Sequence, residues 1–307
     1  MDLELDQDQV ALCQGLDSLL ERYADIDPPG TAQYHVGNAR LERDLEEGGY
    51  FDAARDLGTI GAVLVIEAVA ALPWCVEIAA SALLRPVLGS EPATRPIALA
   101  RAPLTTPVRF LAPGATLLVV DGAAVRRLHP APEQVRAVES PFAYPYALCE
   151  GVDPARAPLV DGLAAAELQR LWQIGIAAEI VGAAGRAIDM AVRHVKQRHQ
   201  FGRPLGSFQV IQHRLSECTV LHRAARLLAR KAAWSGDAAD AALAAAYAQD
   251  AAARVVYETH QFHGAIGLTL EYALHYLTYR LRRLQGELGG TSHQARAAAD
   301  RRWPLPA

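Results

Sequence analysis

The sequence predicts a mainly α-helical protein with a reduced β region set between two helical ones. Three observations carry this: long segments with apolar residues at three- and four-residue spacing, a central stretch of short apolar runs cut by turn residues, and a composition suited to a packed core. With 51% hydrophobic and 21% charged residues in 307, the chain can bury a sizeable core. The expected division is an N-terminal helical region over 1–92, a reduced β domain over 93–158 and a C-terminal helical bundle over 159–307.

In the first region helices are expected over 9–23, 42–57 and 68–88, with Pro28-Pro29-Gly30 separating the first two. The apolar run 60–76 contains Glu67 and Pro73, too interrupted for a membrane span, and reads as buried helix. From Arg95 the pattern changes. Runs at 97–100, 108–111 and 116–120 read as strands, and Asp121-Gly122 offers a turn into a returning arm at 123–128.

Beyond about Leu159 the chain reads as helix almost to its end. Leu171, Ile174, Ile180, Val181, Ile188, Val192 and Val195 mark one very long amphipathic helix. Gly175, Gly182 and Gly185 interrupt it with small side chains that let a neighbouring helix approach closely. Helices over 208–235, 237–261 and 270–284 complete an antiparallel four-helix bundle.

A net charge of −4 with scattered Lys and Arg excludes the basic surface that a nucleic-acid backbone requires. Cys13, Cys75, Cys149 and Cys218 form no metal-type pair, and the acidic start Met1-Asp2-Leu3-Glu4 differs from a basic export signal; a cytoplasmic location is expected. Eight of the ten histidines follow residue 190, but no Glu-x-x-His pair accompanies His260 and His263, so no metal is expected.

The chemistry concentrates in the connector 198–212. Arg198, Gln200, Phe201, Phe208, Gln209 and Gln212 crowd one segment punctuated by Gly202, Pro204 and Gly206. Arginine can fork onto a pyrophosphate, glutamine amides donate and accept, and phenylalanine stacks on a planar ring, so a dinucleotide suits the set. A plain helix connector stapled by its Phe residues is the competing reading of the same residues.

Arg198-x-Gln200-Phe201-Gly202-x-Pro204-Leu205-x-x-Phe208-Gln209-x-Ile211-Gln212-x-x-Leu215 resembles the signature of the acyl-CoA dehydrogenases nearly position for position. Gln261-Phe262-His263-Gly264-Ala265-Ile266-Gly267 resembles the same family's Gln-x-x-Gly-Gly-x-Gly element, with Ala265 in place of the second glycine. The resemblance spans about 165–283. It implies an acyl-CoA dehydrogenase-like fold, FAD as cofactor, an acyl-CoA thioester as substrate, and a site in which these two elements reach a neighbouring subunit's FAD. By that likeness Arg198 meets the pyrophosphate, and Gln200, Phe201, Phe208, Gln209, Gln261, Gly264 and Ala265 line the dinucleotide.

The departures are as specific. The family's Glu-Gly-Thr-Ser near the C-terminus stands here as Gly289-Gly290-Thr291-Ser292, so the catalytic carboxylate is absent from its place. The family's alternative base position falls near Trp172. Glu167 and Glu287 are the remaining candidates, Glu287 reading as a solvated charge beside Arg282 and Arg283 and Arg280 as part of the same solvated face. The family's Thr-Glu and Gly-Ser-Asp elements, which hold the flavin in its own subunit, are missing from the short middle region. The chain therefore resembles the short actinobacterial, steroid-type subunits of heteromeric acyl-CoA dehydrogenases, which implies a full-length partner subunit in an α2β2 assembly. A self-sufficient homo-oligomer with a relocated Glu base and a non-catalytic scaffold subunit remain as alternatives.

Overall fold

A computed structural model describes residues 4–25, 34–89 and 93–304. Pro28-Pro29-Gly30, expected to part the first two helices, lies outside the described residues. Helix α1 (Gln7–Leu20) opens on a capping box in which Asp6 and Gln9 satisfy each other's backbone amides. Helix α2 (Ala39–Glu47) is capped by Asn38 and stops at Gly48-Gly49, where Gly49 turns left-handed at φ 71°. Helix α3 (Ala53–Ala70) follows, kinked at Gly58, and α4 (Ala79–Leu84) lies beyond Pro73. The breaks thus differ from those expected. The 42–57 helix divides at its glycine pair, and the 60–76 run is helical only to Ala70, after which the Cys75 amide donates to the Val36 carbonyl.

Six strands form two small sheets. In one, β1 (Ile97–Arg101) runs parallel to β3 (Thr116–Asp121), and β4 (Ala124–Leu128) returns antiparallel across the Gly122 turn, as the Asp-Gly pair predicts. In the other, β2 (Val108–Arg109) and β5 (Val135–Val138) flank β6 (Tyr146–Cys149). Alternation along β3 sends Leu118 to the main core and Leu117 and Val119 to a small core between the sheets. Strand β2 is shorter than the 108–111 run because Phe110 takes φ 62°.

The C-terminal part is built on α5 (Ala165–Gln197), with α6 (Gln209–Ser235), α7 (Ala238–His263), α8 (Leu274–Leu284) and a further helix, α9 (Gly290–Arg302), beside the four expected. Gly236 ends α6 left-handed and Asp237 accepts from the amides of Ala239 and Asp240, so a tight αα-turn makes α6 and α7 antiparallel. Alanines at 241, 244, 245, 248 and 252 are fully buried and let α7 lie close to its neighbours. The glycines of α5 act as read from the sequence. A Cβ at Gly182 would lie 2.1 Å from the Glu67 carbonyl oxygen of α3, and one at Gly175 would lie 3.3 Å from Ala79 Cβ of α4. No helix among the described residues is long and apolar enough to cross a membrane.

Candidate functional site

The connector after α5 folds back on itself. Strands β7 (His199–Gln200) and β8 (Arg203–Pro204) form a hairpin whose two turn residues, Phe201 and Gly202, have φ of 54° and 79°. Two consecutive left-handed residues give the tight turn that suits strand twist; Gly202 adopts it freely and Phe201 under strain. The Phe201 ring, 87% exposed, stands edge-on to Phe208 at 6.1 Å, and Arg203 lies over Phe208 at 4.0 Å. Leu205 donates to the Arg198 carbonyl at 2.8 Å, and the Gln212 amide donates to the Gly206 carbonyl at 2.8 Å. Arg198, Gln200 and Gln209 are exposed, Phe208 half-buried.

Helix α7 ends beside this hairpin. Gln261, Gly264 and Ala265 are exposed, and Gly264 leaves the helix at φ 64° with no atom within 4 Å of the place a Cβ would take. Glycine is required there by backbone conformation, and its open side leaves main-chain amides approachable. Beneath both segments Val195, Leu215 and Phe262 form a small apolar cluster of their own, joined by Leu205 and Ile211. The structure therefore brings the two sequence motifs onto one surface over a shared floor.

A buried charge fixes that floor. Glu258, fully buried on α7, receives Arg214 of α6 at 2.5 Å and Arg254 at 2.8 Å, while the Arg214 guanidinium also lies over the Phe262 ring. Motif reading passes over this clamp, whose only local signal is the i,i+4 spacing of Arg254 and Glu258. His263, also buried, stacks on His194 at 4.6 Å and on Tyr272 at 5.0 Å, and its Nδ1 donates to the Thr259 carbonyl at 2.6 Å.

Burial lowers the His263 pKa from 6.5 to about 4, outweighing the raising effect of the Thr259 bond. The folded chain thus keeps a neutral imidazole where the unfolded chain is protonated. The associated stability is present above pH 6.5 and lost as pH falls toward 4, at most on the order of 2–3 kcal/mol. Unfolding midpoints measured from pH 7 to 4 should fall more steeply for the native chain than for a His263→Phe variant.

The two carboxylate candidates occupy different settings. Glu167 is bound side-on by Arg170 at 2.6 and 2.8 Å on a partly exposed face, and that hydrogen bonding holds its pKa below the ordinary value. Glu287 is not the solvated charge expected from its neighbours. It is 5% exposed, with Arg283 at 3.2 Å, and it lines a cleft between the β region and the helices together with Trp172. Arg280 is likewise buried rather than solvated, and donates to the Pro73 carbonyl.

A side chain at Gly289 would be strained and crowded. At φ 87°, a Cβ there would sit 2.9 Å from that of His293. A second buried pair stands next to this cleft: Arg109 of β2, which lines it, and Glu179 of α5 meet in a two-pronged contact, both arms at 2.9 Å. Both also line a cavity of about 20 Å3, room for about one water.

Comparison with known proteins falls on the same stretch. Residues 168–302 match the family described as acyl-CoA dehydrogenase, C-terminal domain. The acyl-CoA dehydrogenase IpdE2 of Mycolicibacterium smegmatis is 40% identical over 97 residues, 32% of this chain and 31% of that protein. A 3-(aryl)acrylate reductase of Clostridium sporogenes is 38% identical over 125 residues, 39% of this chain and 33% of that protein. The chain thus spans about a third of the length of these curated relatives.

In fold the likeness is wider. The ChsE4–ChsE5 complex from Mycobacterium tuberculosis contains a chain that superposes with a TM-score of 0.75 at 21% identity, covering 100% of both chains. Butyryl-CoA dehydrogenase from Megasphaera elsdenii gives 0.73 at 21% identity, covering 97% of this chain and 99% of that one. The acyl-CoA dehydrogenase fold therefore extends over the N-terminal helices and the two small sheets as well as the matched domain.

Proposed function

We propose that this chain is the cofactor-completing subunit of a heteromeric FAD-dependent acyl-CoA dehydrogenase. One observation carries the reading: the two ligand-capable motifs meet on an outward surface, whereas the position of the usual base is held by Gly289, left-handed and crowded by His293 for any added side chain. FAD, when bound, supplies the acceptor for the β-hydride as the α-proton of an acyl-CoA thioester is removed.

The exposed groups suit such a cofactor. The Arg198 guanidinium makes no hydrogen bond or ion pair among the described residues and offers its fork to a pyrophosphate. Gln200, Gln209 and Gln261 offer amides, Phe201 and Phe208 offer ring faces and edges, and Gly264 and Ala265 permit close approach of backbone. The partner is then a full-length acyl-CoA dehydrogenase subunit that holds the remainder of the flavin and the base, in an α2β2 assembly. Steroid-type acyl groups fit the likeness to the ChsE4–ChsE5 complex and to the steroid dehydrogenase complex Tcur3481–Tcur3483.

Purified alone, the chain is expected to be colourless, and co-expression with its partner to give a yellow, active complex. In that complex Arg198→Ala should lower FAD affinity by about tenfold or more through loss of a charge-assisted contact. A yellow, active homo-oligomer of the native chain overturns the proposal. Unchanged flavin content with Arg198→Ala would favour the scaffold reading instead.

The burial of Glu287 favours one second reading, a self-sufficient enzyme with that residue as relocated base. Its ion pair with Arg283 at 3.2 Å opposes this, since the carboxylate is already engaged by a side chain of its own subunit. Any turnover by the isolated chain that survives Glu287→Gln removes the second reading.

A further inference from the structure

A groove of about 410 Å3 lies where the N-terminal helices meet the C-terminal bundle, walled by α1, α3, α5 and α6. It shares no lining residue with the hairpin, with the Gln261 segment or with the cleft beside Glu287. Its floor is apolar: Leu16, Leu64 and Val181 are buried, and Ala68 and Ala71 partly so. A Cβ at Gly185 would lie 2.9 Å from the His222 ring, so the glycine is what lets α6 close in on that side. Junctions between packed units of this kind are common places for small-molecule sites.

The charged groups above this floor are unequally matched. On α6, Arg226 and Arg230 share one carboxylate, Glu67 of α3, at 3.1 and 2.9 Å. Arg226 commits only its Nε to that contact; its two Nη groups make no hydrogen bond among the described residues, and the side chain is 48% exposed. His222 adds no charge at neutral pH, since burial holds its pKa below the ordinary value, and its Nε2 donates to the Val181 carbonyl at 3.1 Å. That wall therefore carries one positive charge in excess. Arg186 is matched by Asp25 at 2.9 Å. On α1 and α5 the imbalance is reversed: Asp17 and Asp189 are exposed, and their carboxylates make no ion pair or hydrogen bond among the described residues. Both signs bear on the same space. The Cys13 thiol lies within electrostatic reach of Asp17, Arg226 and Arg230, and the His222 ring within reach of Asp189 and Arg226.

We propose that this groove binds a small zwitterion whose carboxylate and ammonium are separated by an apolar stretch, an ω-amino acid being the simplest case. The free Nη pair of Arg226 takes the carboxylate, Asp17 and Asp189 take the ammonium, and the methylenes lie on Leu16, Leu64 and Ala68. A simple anion at Arg226 is opposed by the two unpaired carboxylates, and a simple cation by the excess guanidinium. Only a ligand carrying both charges gains from both walls. The site does not draw on the flavin reading and stands or falls without it.

Isothermal titration of the purified full chain tests the assignment with 6-aminohexanoate, hexanoate and hexylamine as probes. 6-Aminohexanoate is expected to bind one to one, and each single-charge analogue about tenfold or more weakly. Arg226→Gln, which leaves Arg230 on Glu67, should erase the advantage of 6-aminohexanoate over hexylamine. The double variant Asp17→Asn, Asp189→Asn removes no contact of the fold and should erase its advantage over hexanoate. Ala68→Phe should block all three by filling the floor, and Arg198→Ala should leave the affinities unchanged. The proposal is overturned if 6-aminohexanoate does not bind, if either analogue binds as tightly, or if the charge variants keep the native order of affinities. Loss of binding on Arg198→Ala would move the ligand to the exposed hairpin and overturn it equally.

Discussion

Replacing Glu258 by Gln is expected to release flavin from the assembled complex. The carboxylate is fully buried and holds Arg214 of α6 and Arg254 of α7, so the neutral amide leaves two cations facing each other across the floor beneath Gln209 and Gln261. Removing one partner of a buried pair costs about 3–5 kcal/mol; the partial exposure of both arginines moves the expected loss to about 2 kcal/mol. On the proposed function this loss spreads the two motifs, and FAD affinity should fall about tenfold. Asp240→Asn is the matched control. Asp240 is a buried carboxylate at the other end of the same helix pair, held by Lys231 at 2.8 Å and Ser235 at 3.0 Å. It should lower the unfolding midpoint while leaving flavin affinity intact; flavin loss in both variants would assign the effect to general destabilisation.

Gly182→Ala is expected to be the most damaging Gly→Ala change among the described residues. The added Cβ would meet the Glu67 carbonyl oxygen at 2.1 Å and Ala70 Cβ at 3.0 Å, and a carbonyl within a helix cannot rotate aside. Helices α3 and α5 must separate, opening the main core along their contact. Overpacking of this kind costs about 1–3 kcal/mol, with the upper end expected where backbone meets backbone. Gly175→Ala supplies the scale: its Cβ would meet side-chain atoms at 3.3 Å, which can yield by small shifts. Urea midpoints of the two variants should differ clearly, and equal midpoints would show that α5 adjusts as a rigid unit.

The features legible in the sequence are those written in contiguous residues. The α5 glycines, the Asp-Gly hairpin and the two motifs are local patterns, and local patterns survive reading one residue after another. Strands β5 and β6 were less legible: β5 is largely exposed and carries Arg136 in a short run, so alternation has nothing to mark. The helix breaks near Gly49 and Pro73 depended on backbone conformations that compete with a continuous apolar pattern. Residues joined only by the fold escaped altogether. Glu287 read as solvated because its sequence neighbours are arginines, whereas its burial comes from Trp172 and the β region, brought there by packing. The Glu258 clamp likewise depends on Arg214 arriving from another helix.

The two-pronged contact of Arg109 and Glu179 has a consequence for how this chain can change over generations. Both side chains are largely buried, and either alone would leave an uncompensated charge in the main core, at a cost of about 3–5 kcal/mol. An apolar pair of similar volume would be close to neutral or better. The two codons are therefore tied: each single substitution is a loss, and only the double substitution restores the balance. A lineage that has acquired this pair keeps it by a ratchet. The pair stays beside the cleft for as long as no intermediate can be tolerated.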